Sequence, residues 1–422
     1  MDKVSQAKKR TGAKRAEDGD NVTPRILQLA KANHPWQIEM RRYLHERPEW
    51  SNEEFETTKY LMSQARALRL RTETFGLPTG FVADLLDTKK NSPTVAIRTD
   101  IDALPITECN DIPFKSKTSG RMHACGHDAH MATVLGAAKI LTELRNTFSG
   151  SVRFIFQPAE ESPPGGARPL IKAGALTKPK VSAILGLHVD PGVPVGKIGL
   201  RDGPTMASVY DFDLVVRGVT GHAARPHDTV DAIVAAAEII DSLQKLPSRE
   251  FNPLHPVALT FGTIHGGVAR NVVADAVTVC GTLRTLDAAD AKRGPQLIKR
   301  CVQGVATARG AKVDIVERGS YPPLVNDTLV NKIFAASYER LYGSNKVART
   351  NQSLGGEDFA CYAEKIPGAM FRLGVRNPSI GAVRSWHSDK FMVDESALEN
   401  GAALLAHAAI HALLWASGQV AK

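Results

Sequence analysis

Residues 122–130 read Met-His-Ala-Cys-Gly-His-Asp-Ala-His, and a segment with helical periodicity follows them. Three histidines, one cysteine and one aspartate fall in this stretch, although the whole chain holds only 13 His and 5 Cys. Sulfur, imidazole and carboxylate groups are the usual ligands of transition-metal ions in proteins. Cys125 and His127 stand two residues apart at the junction of a loop and a helix, so both can face one point. The stretch therefore predicts half of a metal site, with His123 and His130 in supporting positions.

Strands and helices alternate on both sides of this stretch. The sequence predicts strands at 81–86, 94–99, 151–156 and 181–187 and a helix at about 129–144. Such alternation is typical of an α/β fold with a mixed, mainly parallel sheet and flanking helices. Ligands bind beyond the carboxyl ends of the strands in these sheets. We therefore expect one site to collect the polar residues that follow the strands, namely Asp100, Asp102, Glu160, Glu161 and His188.

The pattern changes near residue 206. From there the sequence predicts a strand at 208–217, a helix at 229–245, strands at 257–265 and 272–284, a helix opened by Pro295 and a strand at 312–317. The order β-α-β-β-α-β is the ferredoxin-like arrangement, and a chain of 422 residues is long enough for two domains. We interpret 206–317 as an inserted domain, and 25–205 with 318–422 as a metal-binding catalytic domain.

The two ends of the chain differ in composition. Residues 1–24 are basic and poor in large apolar side chains, which predicts a disordered tail. A helix is expected to open at Thr23-Pro24, with further helices at 36–47 and 52–70. The apolar run 401–417 is shorter than the roughly 20 residues of a membrane span, so we expect a packed helix there.

The composition is that of a globular protein, with 43% hydrophobic and 23% charged residues and a formal net charge of +9. The five cysteines are odd in number and scattered without paired spacing, which favours a reducing compartment. No signal-peptide pattern follows the basic tail. We expect a cytoplasmic protein with neither a membrane nor a nucleic-acid partner.

Glu160 and Glu161 are adjacent and follow an apolar strand. Adjacent side chains of an extended chain point to opposite faces, so one carboxylate can bind a metal while the other accepts a proton. The spacing does not say which glutamate takes which part. The other candidate ligands are Cys125, His127, His188 and His387. This set exceeds the needs of one tetrahedral ion and, with a shared ligand, fits two ions that lower the pKa of a bridging water.

Several motifs along the chain occur together in one known group of enzymes. They are Arg98–Pro105, His123–His130, Phe156–Glu161, Gly186–His188, Gly221–His227, Gly266–Asp275, Gly356–Phe359 and the late His387. On these motifs the chain resembles the metal-dependent amidohydrolases that include hippurate hydrolase and the auxin-conjugate (IAA-amino acid) hydrolases, kin to aminoacylases and zinc carboxypeptidases. The resemblance runs from about residue 36 to the C-terminus. It implies a zinc-peptidase-like catalytic domain with an inserted lid and dimerisation domain.

The resemblance also implies a role for the residues of the expected site. Two divalent ions, Mn²⁺, Zn²⁺ or Co²⁺, would be bound by Cys125, His127, Glu161, His188 and His387. Glu160 would be the base that delivers a metal-activated hydroxide to an amide carbonyl and returns the proton to the leaving amine. Asp102 matches the acid that orients a ligand histidine.

In the inserted domain the resemblance implies that His222 and Asn271 bind the oxyanion or the substrate carboxylate, and dimeric relatives pair through this domain. Arg270, which suits bidentate carboxylate pairing, and Gly374 are further candidates for substrate binding. The sequence departs from the family pattern in two places. Residues 162–166 read Ser-Pro-Pro-Gly-Gly where a glycine run is usual, and residues 271–275 read Asn-Val-Val-Ala-Asp where the family has Asn-Val-Ile-Pro-Asp. The first departure bears on substrate preference.

We therefore predict an enzyme that hydrolyses the amide bond of N-acyl or N-aroyl amino acids or similar carboxylate-bearing amides. Such small molecules, and a second copy of the chain, are the expected partners. A dipeptidase or carboxypeptidase reaction at the same site and a catalytically silent binding protein are the alternatives. A further hypothesis makes Cys125 a nucleophile with His127 as its partner, although a separation of two residues is awkward for such a pair.

Overall fold

The computed structural model describes residues 22–89 and 92–418. Its helices are α1 (Thr23–His45), α2 (Phe55–Ala67), α3 (His127–Glu143), α4 (Ala167–Ala173), α5 (Ala232–Gln244), α6 (Leu246–Arg249), α7 (Ala288–Arg309), α8 (Thr328–Tyr342), α9 (Ala360–Ala363) and α10 (Ala397–Ala416). Its strands are β1 (Arg71–Glu73), β2 (Phe81–Leu85), β3 (Thr94–Asp100), β4 (Ser151–Gln157), β5 (Val181–Pro194), β6 (Ile198–Leu200), β7 (Gly203–Met206), β8 (Ser208–Arg217), β9 (Gly221–His222), β10 (Val257–Gly266), β11 (Val272–Val273), β12 (Ala276–Thr285), β13 (Lys312–Tyr321), β14 (Leu324–Asn326), β15 (Val347–Arg349) and β16 (Gly368–Arg376).

The chain divides into two compact units. The first comprises residues up to Gly203, then Asn326–Asn351 and Tyr362 onward, and the second comprises Pro204–Val325 with Gln352–Cys361. The predicted tail falls mainly on residues 1–21, which lie outside the described residues. Its last two members, Thr23 and Pro24, belong to α1, with the proline in the first turn, where its missing N–H costs nothing.

The first unit is built on an eight-stranded sheet with the order β1-β2-β4-β3-β5-β16-β6-β15. The pairings β3–β4, β3–β5, β5–β16 and β6–β15 are parallel, whereas β1–β2, β2–β4 and β6–β16 are antiparallel. The central strands β3 and β4 are buried along their whole length, as expected for strands covered by helices on both faces. The predicted mixed, mainly parallel α/β fold is confirmed.

Helices α1, α3 and α10 pack together, and α3 and α10 contact this sheet. By length and composition α10 could cross a membrane, but 78% of its most apolar window is buried inside the protein. Its buried residues are mostly alanine and leucine, and it packs against α3, α1 and α8. The helix is therefore part of the hydrophobic core, as the sequence predicts.

The second unit contains the antiparallel sheet β10-β12-β8-β13. The helices α5 and α7 pack against it, so that the elements follow the order β8, α5, β10, β12, α7 and β13. Phe212, Leu214 and Val216 alternate along β8 and contribute to a separate hydrophobic core. This period of two is the pattern of a strand that is buried on one face.

Two helices differ from the sequence prediction, and each contains a proline. Residues 36–45 are helical as predicted, but they continue the helix that opens at Thr23-Pro24, because Pro35 sits within α1 and does not interrupt it. Pro35 is exposed, and the backbone carbonyl that its ring leaves without an N–H partner can meet water. Pro295 sits within α7, which begins seven residues earlier because the Asp287 carboxylate accepts the N–H groups of Ala289 and Asp290 at 2.8 and 2.9 Å.

Candidate metal centre

The pairing of β3 with β4 and β5 places polar residues of the first unit side by side at the same height in the sheet. Asp100, the last residue of β3, lies opposite Gln157, the last residue of β4. On the other side Arg98 lies opposite Gly186, so His188 stands level with Asp100. The sequence predicted a strand that ends before His188, but β5 continues to Pro194 and His188 lies inside it. The strand can run on because β16 pairs with it at this level.

Cys125 and His127 are placed by Gly126, which precedes the first residue of α3. Gly126 has a φ of 88°, and a Cβ atom on it would lie 2.4 Å from the Val189 side chain. Only glycine satisfies both conditions at low cost. The thiol of Cys125 lies with its Sγ 3.5 Å from Nε2 of His188, so the loop and strand β5 meet here.

The ring of His127 is held by Asp102. Its Nδ1 donates to the Asp102 backbone carbonyl at 2.9 Å and lies 3.1 Å from the carboxylate oxygen Oδ1. This contact leaves Nε2 as the ring nitrogen that is available to a metal ion. Among the described residues this buried Nε2 has no hydrogen-bond partner. An unpaired buried nitrogen costs about 1–3 kcal/mol, which a bound cation would offset.

The two glutamates follow β4 through a turn at Ala159. Glu161 Oε1 lies 3.4 Å from Nε2 of His387 and 3.9 Å from Nε2 of His127. His387 comes from a distant loop, and its backbone N–H donates to the carbonyl of Ala124 at 2.9 Å. Glu160 is 9% exposed, and its carboxylate lies within 4.8 Å of the donor atoms of His127 and Glu161.

Two further histidine rings are oriented by the backbone. Nδ1 of His188 donates to the carbonyl of Val189 at 2.8 Å, which leaves Nε2 facing Cys125. The N–H of Val189 donates to Nε2 of His130 at 2.9 Å, so the neutral ring of His130 carries its proton on Nδ1, 2.7 Å from Asp100. Both nitrogens of His130 are therefore engaged, which agrees with the supporting position expected for it.

Negative charge is concentrated around these side chains. Burial lowers the pKa of His127, but Asp100 and Asp102 outweigh this effect and raise it to about 10. Burial raises the pKa of the Cys125 thiol well above its usual range, and Glu161 and Glu160 raise it further. The raised thiol pKa disfavours Cys125 as an independent nucleophile. Both raised pKa values result in part from nearby carboxylates, whose negative charge a bound cation would neutralise.

The donor set fits divalent metal ions. Donor atoms of Cys125, His127 and His188 lie within 4.8 Å of one another, and so do those of Cys125, Glu161 and His387. Ligands around a tetrahedral ion at 2.0–2.3 Å stand about 3.5 Å apart, and the Cys125–His188 and Glu161–His387 distances are 3.5 and 3.4 Å. The two triplets share Cys125, so two adjacent ions can be accommodated.

Three of the predicted site residues lie in the second unit. His222 pairs with Val272 in the short β9–β11 ladder, and the carbonyl of Asn271 accepts the N–H of Ala223 at 3.1 Å. The N–H of Ala224 donates to Nδ1 of His222 at 3.0 Å, so the neutral ring carries its proton on Nε2. His222, Asn271 and the neighbouring Arg270 are all exposed. His222 and Asn271 therefore form one small polar surface.

Gly374 lies in β16, in the first unit. A Cβ atom on it would come within 2.1 Å of the Pro194 carbonyl oxygen. Its N–H donates to the carbonyl of Lys197 at 3.0 Å. This close approach of two backbone segments explains why the residue is glycine.

The sequence did not reveal several residues that support this site. Ser51 donates its hydroxyl to Asp102 Oδ2 at 2.7 Å, and the Ala159 N–H donates to Glu54 at 2.7 Å. Trp386 donates its indole N–H to the carbonyl of Val189 at 2.9 Å and lies edge-on to His188. A tryptophan directly before a candidate ligand was a signal for the last contact. Ser51 and Glu54 carried no such signal, because neither lies near a candidate ligand in sequence.

Comparison with known proteins supports the same chemistry. A family model described as peptidase family M20/M25/M40 matches residues 96–411. The chain is 40% identical over 370 residues to an N-acetylcysteine deacetylase of Bacillus subtilis, with 87% of this chain and 94% of the relative covered. It is 37% identical over 404 residues to an IAA-amino acid hydrolase of Arabidopsis thaliana, with 94% and 90% covered.

A solved structure matches this chain over most of its length. It is a Bacillus subtilis protein described as a dinuclear metal binding peptidase from the M20 family, 37% identical to this chain, with a TM-score of 0.78. The match covers 91% of this chain and 99% of that one. With the clustered cysteine, glutamate and histidine donors, these likenesses establish that the chain is a metal-dependent amidohydrolase belonging to peptidase family M20/M25/M40.

Proposed function

We propose that this enzyme hydrolyses the amide bond of N-acyl or N-aroyl amino acids or similar amides that carry a free carboxylate. The observation that carries the proposal is the position of Glu160 beside a cluster of side chains that can bind a metal. An oxygen of its carboxylate lies within 4.8 Å of a ring nitrogen of His127 and of a carboxylate oxygen of Glu161. The proposed ligands of two divalent ions, Mn²⁺, Zn²⁺ or Co²⁺, are Cys125, His127, Glu161, His188 and His387.

Bound ions of this kind supply a Lewis acid that polarises the amide carbonyl and acidifies a water molecule. In the proposal Glu160 accepts the proton of the attacking water and transfers it to the leaving nitrogen, so that one carboxylate serves both steps. Asp102 holds the proton of His127 on Nδ1 and leaves Nε2 free for a ligand bond. A base that is only 9% exposed keeps the transferred proton from bulk water.

The polar surface of the second unit is the proposed site for the oxygen atoms of the substrate. Nε2 of His222 carries a proton and can donate to an oxyanion or a carboxylate. Asn271 offers an amide next to it, and Arg270 offers a guanidinium that pairs well with a carboxylate. Gly374 remains a candidate for substrate binding through its backbone.

The decisive experiment is a substrate panel with controlled metal content. The protein is purified, stripped with a chelator, and reloaded with Mn²⁺, Zn²⁺ or Co²⁺. Each form is tested on N-acetyl and N-benzoyl amino acids, their amide-capped derivatives, dipeptides and esters. We expect no activity in the stripped protein, recovery with a divalent ion, and loss of activity when the substrate carboxylate is capped.

Glu160→Gln provides the test of the base. The amide keeps the size of the side chain but cannot accept the proton, so we expect kcat to fall by about 10²–10⁴-fold with both metal ions still bound. Glu364→Gln, a change on a half-exposed residue of the first unit, is the control. Full activity of Glu160→Gln would remove Glu160 from the proposed mechanism.

A peptidase reaction is the second candidate. The solved relative is described as a peptidase, and the N-acyl amino acids and dipeptides share the amide and the free carboxylate that the site would recognise. The same panel separates the two. A kcat/KM for dipeptides that exceeds the values for all N-acyl amino acids would assign the enzyme to peptide substrates.

We further propose a cytoplasmic homodimer that pairs through the second unit. All five cysteines are free thiols, which suits a reducing compartment. Strand β10 lies at the edge of its sheet and exposes Ile264, and Val268 follows two residues after its end; their exposed fractions are 53% and 90%. Exposed apolar side chains on and beside an edge strand favour association with another strand.

A further inference from the structure

We propose that Glu54 is a positioning residue that fixes the turn carrying Glu160 and Glu161, and thereby the directions of both carboxylates. The inference rests on the function proposed for those two residues. Glu54 lies in the loop between α1 and α2, far from both in sequence, and it is fully buried. It occupies the position before the first residue of α2, yet its side chain makes no capping hydrogen bond to that helix.

The Glu54 carboxylate is engaged elsewhere. Its Oε1 accepts the backbone N–H of Ala159 at 2.7 Å. Ala159 has a φ of 51°, in the left-handed region that disfavours residues with a Cβ atom, and it is 2% exposed. A hydrogen bond to a buried carboxyl group is strong enough to hold an alanine in this conformation.

The other side of the same turn is held by Asp102. The N–H of Glu161 donates to Asp102 Oδ2 at 2.9 Å, and the hydroxyl of Ser51 donates to the same oxygen at 2.7 Å. The loop from Ser51 to Glu54 therefore holds the turn in two ways. Glu54 binds it directly, and Ser51 binds Asp102, which holds its other side. Glu160 lies between the two held N–H groups, so its backbone direction follows from them.

Loss of the Glu54 acceptor would leave the buried N–H of Ala159 unpaired. The turn can then relieve this cost by moving Ala159 to a negative φ, which rotates the direction in which the Glu160 and Glu161 side chains leave the backbone. The base and one metal ligand would shift together. A residue that only filled space in the core would have no such effect on the metal centre.

The test compares two replacements of Glu54 in the full-length protein. Glu54→Gln keeps an oxygen acceptor, and the amide is a close substitute because burial and then Asp102 raise the pKa of Glu54 to about 7. Glu54→Met keeps the volume without an acceptor. Glu56→Met, on the exposed face of α2, is the surface control. If Glu54→Met fails to fold, Glu54→Asp, which withdraws the acceptor by one methylene, takes its place.

Two readouts are needed, and one does not depend on activity. We expect Glu54→Met to lower kcat about 10–100-fold with KM within threefold, while Glu54→Gln stays within threefold in both. In a Co²⁺ titration we expect Glu54→Met to weaken one of two binding events at least tenfold and to change the visible absorption of the bound cobalt. If the wild-type protein hydrolyses none of the tested substrates, the proposed function fails, and the titration still decides the role of Glu54.

A second substitution tests the mechanism of the effect. Glycine adopts a positive φ without the penalty of alanine, so Ala159→Gly added to Glu54→Met should recover at least a third of the lost kcat and the cobalt spectrum. Two outcomes would overturn the proposal. One is a Glu54→Met protein with wild-type cobalt affinity and spectrum, and the other is an equal loss in Glu54→Met and Glu54→Gln without recovery by Ala159→Gly.

Discussion

His127, a proposed metal ligand, has its ring held in one orientation by Asp102. Its Nδ1 is hydrogen-bonded to two oxygens of Asp102, so the ring can rotate little and its Nε2 faces a fixed direction. Asp102 also accepts from Ser51 and from the N–H of Glu161. One buried carboxylate thus orients a histidine and the backbone of a proposed ligand.

Replacement of Asp102 tests this arrangement. In Asp102→Asn an NH₂ group would replace one oxygen and meet either the Glu161 N–H or the His127 N–H, which are themselves donors. We expect metal affinity to fall about 10–100-fold and kcat to fall with it. Metal affinity is measured by competition with a chelating dye, with the exposed Asp314→Asn as control. Unchanged affinity in Asp102→Asn would show that the carboxylate does not orient the ligand.

The site residues that could be predicted from the sequence are those that lie close together in the chain or within a recognisable motif. Cys125 and His127 are close in sequence, and Glu160 and Glu161 adjoin a predicted strand, so their clustering was foreseeable. Ser51 and Glu54 act through single hydrogen bonds to residues about 50 and 105 positions away. A serine or glutamate in a loop carries no mark of such a contact, because it occurs in most loops.

Among the elements, the junction of the loop and α3 depends on one glycine. Gly126→Ala would combine the strain of a φ of 88° with a Cβ atom 2.4 Å from Val189. Gly76→Ala is a matched control, since Gly76 has a φ of 74° and no described heavy atom lies within 4 Å of the added Cβ.

Urea unfolding of the two variants separates strain from steric conflict. We expect Gly76→Ala to lose about 1 kcal/mol of unfolding free energy from backbone strain alone. Gly126→Ala should lose about 2–4 kcal/mol and bind less than two metal ions, because the loop must move away from β5. Equal losses in the two variants would show that the approach to Val189 is harmless.

The turn after β2 gives the protein a pH-dependent contribution to stability. Burial raises the pKa of Asp87, but the N–H groups of Gly150 and Lys89 and the Ser92 hydroxyl outweigh it and lower the pKa to about 2. The folded pKa lies below the ordinary value of 3.8, so the contribution is present above pH 4 and lost as the pH falls towards 2.

Asp87→Asn should therefore destabilise the metal-free protein by about 2 kcal/mol at pH 7 and by about half as much at pH 3. The metal-free form is used so that release of ions at low pH does not contribute. Unfolding free energies from urea titrations at both pH values give the result. The exposed Asp241→Asn is the control, with a difference near zero at both. A cost that stays constant with pH would contradict the assignment.

For the helices and strands, the sequence predicted the type of each element better than its first and last residues. Strand β8 was predicted at 208–217, where it is observed, because one face is buried and the side chains alternate. The helix predicted to open at Pro295 begins at Ala288 after the Asp287 cap, and the two helices predicted on either side of Pro35 form one continuous helix. The extension of β5 beyond His188 depends on its pairing with β16, which comes from the far end of the chain.

For the whole molecule the proposed homodimer can be tested at strand β10. Ile264→Lys places a charge on the exposed edge strand, and it should convert a dimer into a monomer of 45.5 kDa in light scattering after size exclusion. Val316→Lys, on the opposite edge strand β13, should leave the dimer intact. A wild-type protein that is monomeric at micromolar concentration would refute the proposed dimer.

The proposed ligands are spread along the chain from Cys125 to His387. A hydrogen bond from the backbone N–H of His387 to the carbonyl of Ala124 joins these two parts of the site. During translation the ribosome therefore adds Cys125, His127 and His188 long before it adds His387. The nascent chain can offer only a partial set of donors to the metal pool of the cell, and the complete set assembles after residue 387 has emerged. Under the proposed ligand assignment, metal loading is completed only after His387 is made, and a messenger truncated upstream of this codon would yield a protein that lacks one of the five proposed ligands.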